Sequence, residues 1–275
     1  MVINEMINGS KDESSQSALR NLLVIFSFRL MKTLSNLTKF KASKIKSDSV
    51  KSISAEEIAQ LKKNGILVLP NFYNASFCTA ALHEIDLYLS NNSVKLNSNS
   101  DYRIHNSELV FKSSRQFYSH DLLQKVGCAY MGMDMINKGC LTNIVLSSTS
   151  IFGSGGGWHR DSTFPQFKAL LYLSDVETTE HGAFQYYSGS HKLRSYLNDT
   201  IRISKSISKT RWEPDEIAKA YRNAEPTTVL GRAGTLVLFD TCLLHRGSPN
   251  NNGSGINRYA LTNYYHSKIG NFGRI

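Results

Sequence analysis

The sequence predicts a mainly β fold, an all-β barrel or jelly roll backed by helices, and two observations carry that expectation. Helical text fills the first half of the chain. In the second half five β-branched or aromatic runs, at 144–152, 167–173, 183–187, 235–239 and 258–265, are separated by turn residues. Helices followed by many strands suggest sheets that close on one another with the helices to one side. A third observation bounds the size: 275 residues, 41% hydrophobic and 10% aromatic, suffice for one well-filled domain with an extension and argue against a disordered or fibrous chain.

Taken in order, residues 1–17 are polar and carry acids, so they lack the basic start of a signal peptide. The apolar stretch 22–31 is too short to span a bilayer, and Arg29 interrupts it. Leu19, Leu22, Leu23, Phe26, Leu30, Leu34 and Leu37 recur at helical spacing with Lys and Arg around them. That pattern fits an amphipathic helix in peripheral contact with a membrane, or one docked on the domain or a partner. Residues 1–50 therefore read as an N-terminal extension with an amphipathic helix, and 51–275 as the folded domain. Ser54 followed by Glu56 and Glu57 reads as an N-cap and an acidic first turn. A buried strand at 65–70 ends at Pro70, and helices are expected at 75–89 and 122–136 with a long loop at 91–107 between them. One helix is expected among the later strands, at 214–223, where Pro214 suits the first helical position.

The net charge is +10, from 32 Lys and Arg against 22 Asp and Glu. The basic residues are scattered, with their densest cluster at 39–46, and no zinc-finger, RNA-recognition or helix-turn-helix pattern is present, so a nucleic-acid partner is not expected. The four cysteines, Cys78, Cys128, Cys140 and Cys242, include no Cys-x-x-Cys pair. They suggest buried thiols in a reducing compartment, and a cytoplasmic location. Cys242, three residues before His245, reads as a small core residue and not a ligand.

The informative motif is Trp158-His159-Arg160-Asp161. Side chains alternate along a strand, so His159 and Asp161 face the same way and present an imidazole and a carboxylate to adjacent positions on one metal. His245 supplies a third ligand, at the end of the apolar run 234–239 and before the turn-forming Gly247-Ser248-Pro249. Two histidines and one carboxylate on one face leave coordination sites open, as in the facial triad of non-haem iron oxygenases. A closed zinc site would need a fourth ligand. Arg258 opens the strand 258–265, on a face it shares with Ala260 and Thr262, where its planar fork can pair with a carboxylate.

With these residues in place, the segment from Gly65 to Tyr265 resembles the phytanoyl-CoA dioxygenase family of iron(II), 2-oxoglutarate-dependent oxygenases. The likeness rests on Trp158-His159-Arg160-Asp161, on the run 182–192, on the run 234–239 with His245 and Arg258, and on an opening strand at 65–72. It implies a double-stranded β-helix with Fe(II) between its sheets, held by His159, Asp161 and His245. It also implies 2-oxoglutarate as cosubstrate, its distal carboxylate on Arg258. The family often has a hydroxyl residue two places after the second histidine; here that place is Gly247, which makes Ser248 the candidate cosubstrate contact. His191 reads as a turn residue.

The implied activity is hydroxylation of an unactivated carbon of a small-molecule or carrier-linked substrate, with release of succinate and carbon dioxide. Arg103, Lys112 and Arg115, then Arg202, Lys205, Lys209 and Arg211, lie in segments suited to the cavity mouth and hint at an anionic substrate. The alternative is a non-catalytic metal-binding β-helix protein acting as a binding module. A zinc hydrolase with the same ligands would need a general base that the sequence does not place, and a halogenating enzyme would have a small residue where Asp161 stands.

Overall fold

The computed structural model describes residues 23, 26–27, 30, 45–46, 52–97, 100–147, 156–162, 166–199, 209–250 and 255–267. In chain order, strands β1 (Ile45–Lys46) and β2 (Ser52–Ile53) pair ahead of helix α1 (Ala55–Asn64). Then come β3 (Ile66–Leu69), α2 (Ala75–Asn91), β4 (Leu96–Asn97), β5 (Asp101–Ile104), α3 (Lys112–Tyr118), α4 (Asp121–Met131) and β6 (Met135–Val145). The second half runs β7 (Trp158–His159), β8 (Phe167–Tyr172), β9 (Phe184–Tyr186), α5 (Leu193–Asp199), β10 (Arg211–Trp212), α6 (Pro214–Ala220), β11 (Thr227–Val229), β12 (Leu236–Asp240), β13 (His245–Gly247) and β14 (Arg258–Ser267).

The capping signals act as the sequence indicates. The Ser54 hydroxyl accepts from the Glu57 amide at 3.1 Å and the Glu57 carboxylate accepts from the Ser54 amide at 2.7 Å, so α1 starts on a complete capping box. It stops at Gly65, whose φ of 80° favours glycine. The position is doubly constrained, since a Cβ there would stand 2.4 Å from Nδ1 of His191. The other ring nitrogen of His191 lies 3.2 Å from the Lys62 carbonyl, so this histidine closes the helix end, as a turn residue would.

Two antiparallel sheets form the jelly roll: a seven-stranded one in the order β3-β12-β8-β14-β6-β5-β4 and a five-stranded one in the order β10-β7-β13-β9-β11. Alternation along β8 shows how they are layered. Phe167, Ala169 and Leu171 join the core shared with α1, α2 and α4, while Leu170 and Tyr172 pack with Phe184, Val229, Val237, Phe239 and Leu243 between the sheets. Burying both faces of this strand stabilises it, at about 1.5–3 kcal/mol for each large apolar side chain. A third cluster, Trp158, Tyr187, Trp212, Ile217 and Leu244, brings α6 against the smaller sheet.

Several local expectations are corrected. The helix expected at 122–136 ends at Met131, because Gly132 adopts a left-handed φ of 69°, and the chain enters β6 at Met135. β6 therefore begins ahead of the strand expected at 144–152 and ends at Val145; its first two residues, expected as the end of that helix, pair with β14 through Ser267↔Met135 and His266↔Ile136. The loop expected at 91–107 contains β5, which pairs with β6, and β4, which forms the edge of the larger sheet. Helices α3 and α5 were not anticipated. α6 ends at Ala220, short of the expected 223. All four cysteines are free thiols.

Most of the extension lies outside the described residues, as do Arg202 and Lys205. Of the apolar stripe, Leu23, Phe26 and Leu30 are described; they are helical and exposed by 58%, 41% and 41%. Among the described residues no helix is long and apolar enough to cross a membrane.

Candidate metal centre

The smaller sheet sets His159 and His245 side by side. His245 on β13 pairs directly with His159 on β7, and their rings lie 4.4 Å apart. Asp161 lies just past the end of β7, where the chain bends, so it does not reach the site by strand alternation as the sequence suggests. Its amide donates to the Thr241 carbonyl at 3.1 Å, tying this bend to the turn that leads into β13. That turn is fixed in turn by Asp240, which accepts from the Tyr130 hydroxyl at 2.9 Å and from the Cys242 amide at 2.8 Å.

The three side chains converge, with one potential ligand atom from each within 4.8 Å of the others. Asp161 Oδ1 is 3.6 Å from Nε2 of His159, and Oδ2 is 3.2 Å from Nε2 of His245. Nδ1 of His159 faces the Gly157 carbonyl at 2.9 Å and Nδ1 of His245 faces the Leu243 carbonyl at 2.8 Å. A carbonyl only accepts, so each Nδ1 carries the proton and each Nε2 lone pair points into the site. Burial, in part opposed by Asp161, lowers the His245 pKa and favours the neutral ring that a metal requires. Burial alone would raise the Asp161 pKa; the Lys168 ammonium leads the groups that outweigh it and hold the carboxyl well below its usual range. Two neutral imidazoles and a carboxylate fit a divalent metal with open coordination sites.

Arg160, between the two ligands, points to the other side. Its guanidinium donates to the carbonyls of Cys242 at 2.7 Å and Ser190 at 3.0 Å, and pairs with Asp199 at 2.6 Å. The Asp199 carboxylate also accepts from the Tyr221 hydroxyl at 2.7 Å. With side chains 1% and 8% exposed, this is a buried pair. Arg160→Met is expected to cost about 3–5 kcal/mol by leaving Asp199 uncompensated, well above the median point mutation. Urea unfolding of the purified variant measures it, and a loss below about 1 kcal/mol would show that Asp199 finds another partner.

Arg258 opens β14 in the larger sheet and turns toward the smaller one. It is 8% exposed and donates to the Gly182 carbonyl and, at 3.1 Å, to Asn143 Oδ1. Its Nε is buried with no partner. A guanidinium has five N–H donors, so two bonds leave capacity for an anion. Burial works against the charge, and Tyr172 and Asp101 oppose that effect. Ser248 follows β13, and its hydroxyl donates to the Thr179 carbonyl. Among the other basic residues, Arg211 pairs in register with His159 and is exposed, and Arg103 is held by Asp101 at 2.9 Å. Lys209 pairs with Glu216, and Arg115 donates to the Glu108 carbonyl.

Sequence reasoning missed Lys168 and Asn143. Lys168 is a lone charge in the apolar run of β8, and that oddity was the available signal.

The family model for phytanoyl-CoA dioxygenase matches residues 61–258. No curated protein sequence matches significantly. Among solved structures, HygX from Streptomyces hygroscopicus with nickel, 2-oxoglutarate and hygromycin B bound is 14% identical, covers 79% of this chain and 88% of its own, and has a TM-score of 0.57. The epimerase SnoN in complex with Fe3+, alpha ketoglutarate and nogalamycin RO is 16% identical, with coverages of 77% and 82% and a TM-score of 0.58. The non-heme alpha ketoglutarate-dependent carbocyclase SnoK from nogalamycin biosynthesis is 18% identical, with coverages of 78% and 83% and a TM-score of 0.55. At these identities the likeness is one of fold.

Proposed function

The chain belongs to the phytanoyl-CoA dioxygenase family, and from that premise we propose that it is an iron(II)- and 2-oxoglutarate-dependent dioxygenase. Its reaction is hydroxylation of an unactivated carbon in a small-molecule or carrier-linked substrate, with release of succinate and carbon dioxide. The observation that carries this reading is the convergence of two Nε2 lone pairs and one carboxylate on a face that leaves coordination sites open. Iron with 2-oxoglutarate supplies the oxidising chemistry; the protein positions the reactants and excludes water. In this reading His159, Asp161 and His245 hold the ion and Arg258 anchors the distal carboxylate of 2-oxoglutarate. Ser248 serves as a further contact by turning its hydroxyl from the Thr179 carbonyl to donate to a cosubstrate carboxylate. The similar solved structures support the cosubstrate, and they include an epimerase and a carbocyclase as well. The deciding experiment supplies iron, ascorbate and 2-oxoglutarate and screens a metabolite extract for products heavier by one oxygen. Succinate formed with a product of unchanged oxygen count would replace hydroxylation by a rearranging oxidation. No iron-dependent succinate would leave the binding module.

Residues 51–275 form the catalytic unit in this proposal, in the cytoplasm, consistent with four free thiols. Residues 1–50 form an extension that binds anionic membrane surfaces. Supporting this are the exposed Leu23, Phe26 and Leu30 and a charge pattern of seven Lys and Arg with no acid over 14–47. Each basic residue near such a surface contributes about 1 kcal/mol. Full-length protein is expected to sediment with phosphatidylserine-containing liposomes, and a chain lacking residues 1–45 to stay in the supernatant. Equal recovery of both in the pellet would remove the membrane role.

A further inference from the structure

We propose that Lys168 is a positioning residue for the metal-binding carboxylate: it holds Oδ2 of Asp161 and so leaves Oδ1 to the ion. This role depends on the metal-site reading above and extends it to a residue outside the triad.

The geometry is specific. The Lys168 ammonium lies 2.9 Å from Asp161 Oδ2, and the lysine side chain is 11% exposed. It sits 4.4 Å from the centre of the Tyr264 ring, a cation–π contact. Tyr264 on β14 and Phe239 on β12 flank Lys168 in register on either side, which fixes its stem. The β8 positions on the same face, Leu170 and Tyr172, pack in the apolar core between the sheets. A leucine or methionine at 168 would bury its side chain there with no charge to desolvate. The lysine accepts that cost, and its charge is directed at one oxygen of one ligand.

Asp161 needs such a constraint more than the histidines do. Each imidazole is held by a backbone carbonyl through Nδ1 and lies on a paired strand. Asp161 lies beyond the end of β7, at a bend, and is the most exposed of the three. Its described side-chain partners are the two histidines and Lys168. When the histidines turn their lone pairs to a metal, Lys168 is the partner that remains on the carboxylate. A carboxylate freed from the lysine can offer both oxygens to the ion and compete with the cosubstrate for a coordination site.

The test uses the full chain under anaerobic conditions, with Co(II) as a spectroscopic probe and then 2-oxoglutarate. In Lys168→Met, Co(II) is expected to bind with an altered ligand-field spectrum. Affinity for 2-oxoglutarate should fall roughly 10- to 100-fold, the range for groups that orient metal ligands. Lys168→Arg, which keeps a charged donor, should restore both. Circular dichroism establishes that each variant is folded; if the methionine variant is not, Lys168→Ala with the same two readouts replaces it. A folded Lys168→Met protein with the wild-type spectrum and wild-type 2-oxoglutarate affinity would reduce the ion pair to a packing feature and overturn the role. Wild-type protein that binds no Co(II) would instead overturn the metal site itself.

Discussion

His245→Ala protein is expected to lose iron-dependent turnover of 2-oxoglutarate while remaining folded. Mutating a group that merely orients a ligand costs 10- to 100-fold in metal affinity or activity, so losing a ligand should cost more than about 100-fold. The fold should survive because β13 is held by its pairing with β7 and β9, which needs no imidazole. What the side chain contributes to packing is a stacked contact with Phe184 at 5.1 Å and an edge contact with Phe239 at 5.2 Å. Iron content and succinate release, measured beside a circular dichroism spectrum, separate the two effects. His159→Ala and Asp161→Ala should behave alike, since the three ligands act as a unit. Full activity in a folded His245→Ala protein would remove His245 from the metal site.

Arg258→Ala should spare iron binding and weaken 2-oxoglutarate binding by roughly 30-fold to 3,000-fold. The guanidinium is buried, and Gly182 and Asn143 hold it in place while its Nε has no partner. Removing one member of such a desolvated charge pair costs on the order of 2–5 kcal/mol, at about 1.4 kcal/mol per factor of ten. Arg258→Lys should rescue in part, because lysine keeps the charge and loses the planar fork. Titrating 2-oxoglutarate into the anaerobic iron(II) protein and following the metal-to-ligand charge-transfer band gives the affinity. Wild-type affinity in Arg258→Ala would place the anchor elsewhere.

The jelly roll was readable because most of its strands are local apolar runs and its first helix carries its own start signal. Thr235 to Phe239 is buried text in any reading, and Ser54 with Glu57 caps α1 through contacts three residues apart. The misread segments are those whose state is set from a distance. Residues 135–139 become strand through pairing with β14, more than a hundred residues later, and β5 and β4 are recruited by pairing outward from β6. Period-2 patterning cannot report a partner that is not nearby in sequence.

For the candidate site, the sequence by itself determined the donor set: His159 and Asp161 two apart, His245 after an apolar run, and Arg258 at a strand start. Residue type fixes which atoms can bind a metal or a carboxylate, and that chemistry travels with the letter. The tertiary structure alone decided what surrounds those donors. It turned Arg160 outward onto Asp199, aimed both Nδ1 protons at carbonyls and set Lys168 of one sheet 2.9 Å from Asp161 of the other. Each imidazole finds its carbonyl two residues back, but the two ion pairs join segments apart in sequence, Arg160 to α5 and Lys168 across the space between the sheets. Their distances depend on sheet order and register, which long-range backbone pairing sets and no local run of sequence encodes.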